Sequence, residues 1–204
     1  MGLARTLRTP RTRLTLALLS GVTLPACASA PPPAPPPAPV VAAQGIERWL
    51  PLKDATVFAY DTVSEPGGQK GMLVLEVRRS RTGLVELSVA GRVQRVEIDA
   101  TGIRHVTGGW LLKEPVSLGA RFRGDFGEVL VTALDRKVSV GAGNFVNCLE
   151  TVESLAGADF NKRTTTVYCA DVGIATRRTE VESNEGSGTE SLSLRSFGPK
   201  FDFQ

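Results

Sequence analysis

What most constrains this chain is the close spacing of its turn signals. They recur as E-P-G-G at 65–68, R-T-G at 81–83, D-A-T-G at 99–102, G-G at 108–109 and N-E-G-S-G at 184–188, with β-branched and apolar segments between them. Connections this short leave no room for crossover helices and join antiparallel neighbours, so the first five strands are expected to run as a meander. The candidate strands are Thr56 to Val63, Gly71 to Arg79, Leu84 to Ala90, Val93 to Asp99, Ile103 to Thr107, Phe126 to Leu134, Lys137 to Gly141, Phe145 to Ser154, Arg163 to Ala170, Ile174 to Glu182 and Thr189 to Phe197. Many alternate, as in Val85, Leu87 and Val89 against Glu86 and Ser88, or Leu192 and Leu194 against Ser191, Ser193 and Arg195. One face is thus buried and the other wetted. Only Ile46 to Leu50 could form a helical turn or two. The expectation is an all-β domain, a single antiparallel, largely meander sheet of about ten or eleven strands. A sheet that wide with one apolar face cannot stay flat, and is expected to be strongly curved into an open or closed barrel, with a β-sandwich as the alternative.

The stretch Val138 to Ala175 reads as a hairpin around a polar loop from Gly157 to Asn161. Folding it about the midpoint between Ala158 and Asp159 sets Cys148 opposite Cys169, Glu150 opposite Val167 and Val152 opposite Thr165. Cross-strand neighbours of this kind are close enough for a disulfide. Two buried free thiols are the alternative. A bridge closing a loop of that length would stabilise the fold by about 3 kcal/mol at most.

Ahead of the β-domain, assigned to residues 45–204, lie a leader and a linker. Arg5, Arg8, Arg11 and Arg13 form a basic segment without an acid, and Leu14 to Leu24 is apolar but too short to span a bilayer as a helix. Residues 1–26 therefore read as a signal peptide. Leu24-Pro25-Ala26-Cys27 resembles the lipobox of bacterial lipoprotein signal peptides, with Pro25 where Ala, Ser or Thr is commoner. The resemblance implies that Cys27 carries a thioether-linked diacylglycerol, becomes the mature N-terminus and is N-acylated. Three acyl chains would tie the protein durably to a lipid bilayer, at about 0.8 kcal/mol per buried CH₂. An ordinary secretory signal cleaved after Ala28 or Ala30 is the alternative. With Ala28 and Ser29 after the cysteine and no Asp, the enteric sorting pattern favours the outer membrane, facing the periplasm. Lipidation would also consume one of three cysteines and leave Cys148 and Cys169 as an even pair.

Residues 31–39 read P-P-P-A-P-P-P-A-P, and the segment to residue 44 has no periodicity. Such a run is a stiff polyproline II spacer, roughly 28 Å over nine residues, holding a domain off the membrane. A docking motif for a proline-recognition module is the alternative. Four of the 24 Lys and Arg leave with the leader, so 20 face 21 acids in the mature chain. The formal +3 belongs to the precursor, and charge offers no argument for nucleic acid as a partner.

Trp49-Leu50-Pro51-Leu52 with Thr56-Val57-Phe58-Ala59-Tyr60, Val138-Ser139-Val140, Ala142-Gly143-Asn144-Phe145, Asn147-Cys148-Leu149-Glu150 and Tyr168-Cys169-Ala170-Asp171-Val172-Gly173 resemble the opening and closing segments of a family of secreted Gram-negative lipoproteins of unknown function. Where that family commonly has Gly, this chain has Ala55. The resemblance implies fold and location and transfers no activity.

Motifs for chemistry are poor. His105 stands beside Ile103 and Val106 without a G-x-S-x-G elbow or comparable nucleophile, and reads as a surface or structural histidine. One histidine and a pairable cysteine couple make a meagre metal-ligand supply. G-A-G-N-F-V at 141–146 lacks the third glycine of a dinucleotide loop and reads as a β-turn. Asp54, Asp61, Asp99 and Asp125 adjoin turns or strand ends, where Asp serves the backbone; a paired-carboxylate hydrolase is the catalytic alternative. No catalytic residue, cofactor or metal is therefore assigned. The leading reading is a non-catalytic binding or scaffold domain for an envelope protein partner. The alternative is a carrier or sensor of a lipid or other hydrophobic ligand in a curved-sheet cavity, with Trp110-Leu111-Leu112 lining its mouth or, as such trios usually do, filling core.

Overall fold

The first strand of the domain pairs with the last, which brings the two ends of the fold together in the middle of one sheet. The computed structural model describes residues 45–80 and 83–200; the expected signal peptide, Cys27 and the proline spacer lie outside the described residues. The strands are β1 (Thr56–Glu65), β2 (Gln69–Arg79), β3 (Leu84–Val89), β4 (Arg92–Asp99), β5 (Gly102–His105), β6 (Trp110–Lys113), β7 (Arg121–Arg123), β8 (Glu128–Val140), β9 (Gly143–Ala156), β10 (Phe160–Cys169), β11 (Gly173–Ser183) and β12 (Gly186–Pro199). Their order is β6-β5-β4-β3-β2-β1-β12-β11-β10-β9-β8-β7, antiparallel throughout. The two edges, β6 and β7, are consecutive in the chain and approach each other, so the sheet is a nearly closed barrel with its seam between them. At that seam a Cβ on Gly109 would sit 2.2 Å from the Gly124 carbonyl oxygen, so only glycine permits the approach.

The sheet curls instead of splitting into a sandwich because extra residues bend it. The β8–β9 ladder slips register at three points, with Asn147 at φ +54° inside one of them, and β12, β11 and β6 each carry one irregularity. Each bulge sharpens local twist and turns a strand around the barrel.

Twelve strands replace the expected ten or eleven for two reasons. Phe126 to Leu134 and Lys137 to Gly141 are one strand, β8, because the intervening residues bulge without leaving the ladder. β6 and β7, of four and three residues, are too short to show a period of two. The loop expected over 157–161 is a tight turn, with Gly157 N donating to Phe160 O at 2.8 Å. Ala55 adopts φ +54°, a left-handed backbone that costs a residue with a Cβ about 1–2 kcal/mol.

One apolar core fills one end of the barrel. Val77, Val85, Val96, Ile103, Leu112, Leu149 and Leu194 are at most 1 % exposed. A 3-10 turn at Ile46–Arg48, the expected single helical segment, packs Ile46 into this core with Leu50 and Leu52. It is pinned by Asp171 N donating to Arg48 O at 2.8 Å and by the two terminal guanidinium nitrogens of Arg79 donating to Glu47, at 2.6 and 3.0 Å. In the β9–β10 ladder Glu150 faces Val167 and Val152 faces Thr165, the register read from the midpoint. One pair beyond Tyr168 and Leu149, Cys148 and Cys169 are bridged within this same core, their Cα atoms 4.4 Å apart.

Candidate functional site

Alternation along neighbouring strands decides what the barrel encloses. In register, Tyr168 of β10 lies beside Leu149 and Ile174, Thr166 beside Thr151 and Arg177, and Thr164 beside Glu153 and Thr179. Directly paired residues share a face, so these rows point one way, and here that way is inward. The inner face thus passes from Leu149 and Tyr168 at the packed base to hydroxyls and charges further along the same strands. Continuing around the sheet from β11, β12 supplies Leu192 and β1 to β3 supply Tyr60, Leu73, Leu75 and Val89.

Two adjoining cavities of about 150 and 320 Å³ occupy this upper half and share Gln94, Ile174 and Arg177 as walls. The larger reaches the lower end of small-molecule pockets, about 300–1,000 Å³. Its lining combines Leu73, Leu75, Val89 and Leu192 with Lys162, Arg177, Thr179 and Glu190, Leu192 being the direct β12 partner of Arg177.

Arg177 is the unusual member. It is half-buried, yet among the described residues no carboxylate oxygen lies within 4.0 Å of its guanidinium and no side chain accepts a hydrogen bond from it. Arg92, Arg123 and Arg163 also lack ion-pair partners, but they are exposed. Its neighbour Arg178 points the other way and pairs with Glu180 at 2.9 Å. Lys162 rests over the Phe126 ring, 4.1 Å from its centroid.

The acids nearby are committed or exposed. Glu153 Oε1 accepts from the backbone N–H groups of Phe126 and Gly127 at 2.7 and 2.9 Å, fixing the β7–β8 turn. Glu190, two positions from Arg177's partner Leu192 on β12, and Asp125 are exposed. Thr164 and Thr179 hydroxyls share a hydrogen bond at 3.0 Å, and the Tyr168 hydroxyl donates to Leu111 O at 3.4 Å. Burial pushes the Tyr168 phenol up to about 12; Glu153 adds to the rise, while Arg177 and the hydroxyls of Thr166 and Thr151 oppose it. Burial also raises Tyr60, with Tyr168 contributing.

The residues singled out from the sequence fall in different places. His105 lines the smaller cavity beside Trp110 and Leu111, whereas Leu112 is core. Asp54 Oδ1 accepts from Arg79 N at 2.8 Å and Asp99 Oδ1 from Thr101 N at 2.7 Å, the backbone service expected of turn aspartates. Asp61 pairs with Arg195 at 3.2 Å, on the outer face. No group of three or more His, Cys, Asp and Glu is arranged to hold a metal among the described residues. Sequence reasoning passed over Arg177, Lys162, Gln94 and the threonines. The available signal was a strand, Ile174 to Glu182, that carries polar residues on both faces although it lies between two others.

No family model matches the chain, and no curated protein matches it. Solved structures similar to it include a candidate exported protein with a YmcC-like fold from Bacteroides fragilis, 12 % identical with a TM-score of 0.47 over 72 % of this chain and 96 % of that one. Another is a candidate lipoprotein from Parabacteroides distasonis, 8 % identical with a TM-score of 0.43 over the same shares. Likeness at this level carries no argument about activity.

Proposed function

We propose that this chain is a lipid-anchored protein of the bacterial cell envelope whose β-domain is a non-catalytic binding module, with the upper half of the barrel as its receptor site. The observation that carries the reading is the divided lumen. One end is filled by side chains as any core is, while the other leaves space walled by Arg177, Lys162, Thr179 and Gln94. Side chains of that kind are not needed to close a barrel, and desolvating an arginine without an anion is costly unless something occupies the site. The envelope location is supported by the leader, the lipobox-like site at Cys27 and a disulfide of the kind that persists in oxidising compartments. Cys27→Ser should release the protein from the membrane fraction; membrane-bound mutant of unchanged mass would end that part of the reading.

A wholly hydrophobic cargo suits the apolar wall alone and would strand Arg177. Native mass spectrometry of the full chain, taken from its own host envelope, tests the module directly. A retained small molecule is the expected result. A bare domain that crosslinks to an envelope protein through its outer face would instead favour the scaffold reading.

A further inference from the structure

We infer that the lumen binds a small anionic amphiphile, its carboxylate or phosphate on Arg177 and its apolar body against Leu73, Leu75, Val89 and Leu192. This rests on the binding-module reading and specifies its ligand. The cation comes first. A guanidinium presents five donors in a planar fork that matches an oxyanion through two parallel hydrogen bonds, and Arg177 spends none of them on a described residue. Among the described residues every other half-buried Lys or Arg already has a partner: Arg79 has Glu47, and Lys162 has the Phe126 ring. Threonines neighbour Arg177 on the inner face, since Thr166 is its direct partner on β10 and Thr179 lies two residues further along β11. They can donate to an anion's remaining lone pairs.

The acids that could compete are accounted for. Glu153 holds two backbone N–H groups; Glu190 lines the larger cavity and Asp125 the smaller, and both are exposed and form no ion pair with Arg177. Lys162, which lines the larger cavity, adds a second positive charge, so two cations there face the one carboxylate of Glu190. The apolar part of the lining supplies the other half of the specificity. Leu73, Leu75, Val89 and Leu192 are partly buried and face the space, where they can cover a short hydrocarbon. A ligand with only one of these properties leaves part of the lining unsatisfied.

The test titrates the full chain calorimetrically with three probes: hexanoate, which has both features; hexanamide, which has the same body without the charge; and inorganic phosphate, which has the charge without the body. Hexanoate should bind saturably and more tightly than either. Arg177→Gln should weaken hexanoate and phosphate by roughly ten- to a hundredfold and leave hexanamide unchanged, the loss expected for a charge-assisted pair. Arg177→Lys should recover part of that loss, and it keeps the test valid if the glutamine variant misfolds. Leu192→Ala should weaken hexanoate and spare phosphate. Equal affinities for hexanoate and hexanamide, undiminished binding in both Arg177 variants, or no saturable binding of any probe would overturn the inference. If a native molecule co-purifies with the wild type and is retained equally by Arg177→Gln, the binding module stands and the anion anchor falls.

Discussion

The two ends of this barrel share one continuous hydrogen-bonded sheet and differ almost completely in what fills them. At the base, Leu149, Leu112, Leu194 and their neighbours are buried, the bridged cysteines lie among them, and the turn at Ile46–Arg48 packs against the cluster. At the mouth β1, β2, β11 and β12 run on past the core, and residues such as Gln69, Val181 and Ser187 are exposed. Ladder hydrogen bonds therefore set the shape of both ends, while side-chain burial is concentrated in one. The base holds the fold and the mouth is free to carry a site, because a net hydrogen bond contributes about 1 kcal/mol whereas a fully buried Leu contributes roughly 1.5–3 kcal/mol.

Truncation gives the strongest test of that division. Leu149→Ala should cost about 2–5 kcal/mol in chemical denaturation, and Leu192→Ala, half-buried at the lumen wall, less than half as much. Equal losses would erase the distinction between the two ends. The disulfide should rank next. Replacing Cys148 and Cys169 together by alanine opens a bridge spanning 21 residues and should lower stability by about 3 kcal/mol or somewhat less, since the hairpin already restrains the unfolded chain. Melting curves of reduced wild type and the double variant should then coincide.

Alkali should loosen the junction of the two ends, where Tyr168 sits. Its phenol ionises near 10 when unfolded and is pushed up to about 12 by burial in the fold. The unfolded chain thus loses that proton first. The contribution is full below about pH 10 and is lost as pH rises toward 12, amounting to about 2–3 kcal/mol from this group. Denaturation midpoints that stay level across this range would contradict a buried phenol. Tyr168→Phe should flatten part of the decline, with Tyr60 supplying the remainder. The smallest effect is expected outside the core, at Ala55. Ala55→Gly relieves a left-handed backbone and should raise stability by about 1 kcal/mol or less, after the entropy glycine adds to the unfolded chain. A loss of stability would show that the methyl group contributes packing.

Much of the scaffold was legible from local patterns. Val85, Leu87 and Val89 announced a one-faced strand, the short turns demanded a meander, and symmetry about residues 158 and 159 placed Cys148 against Cys169. These readings succeed because strand alternation and tight turns are local, and a hairpin register follows from its own loop.

The sequence by itself determined the all-β class, the meander and the facing of the cysteine pair. Only the tertiary structure decided where the barrel closes and which charges it encloses. The seam depends on Gly109 meeting Gly124, two residues that become neighbours only when the whole sheet has curled. The enclosed charge depends on a single bulge. Strict alternation from Ile174, which lies beside Tyr168 on the inner face, would carry Thr176 and Arg178 inward; the irregularity in β11 between the pairs Val167–Thr176 and Tyr168–Ile174 inserts one residue, so that Arg177 faces the lumen beside Thr166 and Arg178 faces out to Glu180. A shift of one residue exchanges the two faces of a strand, and nothing in the run Ala175-Thr176-Arg177-Arg178 says which arginine the barrel will keep.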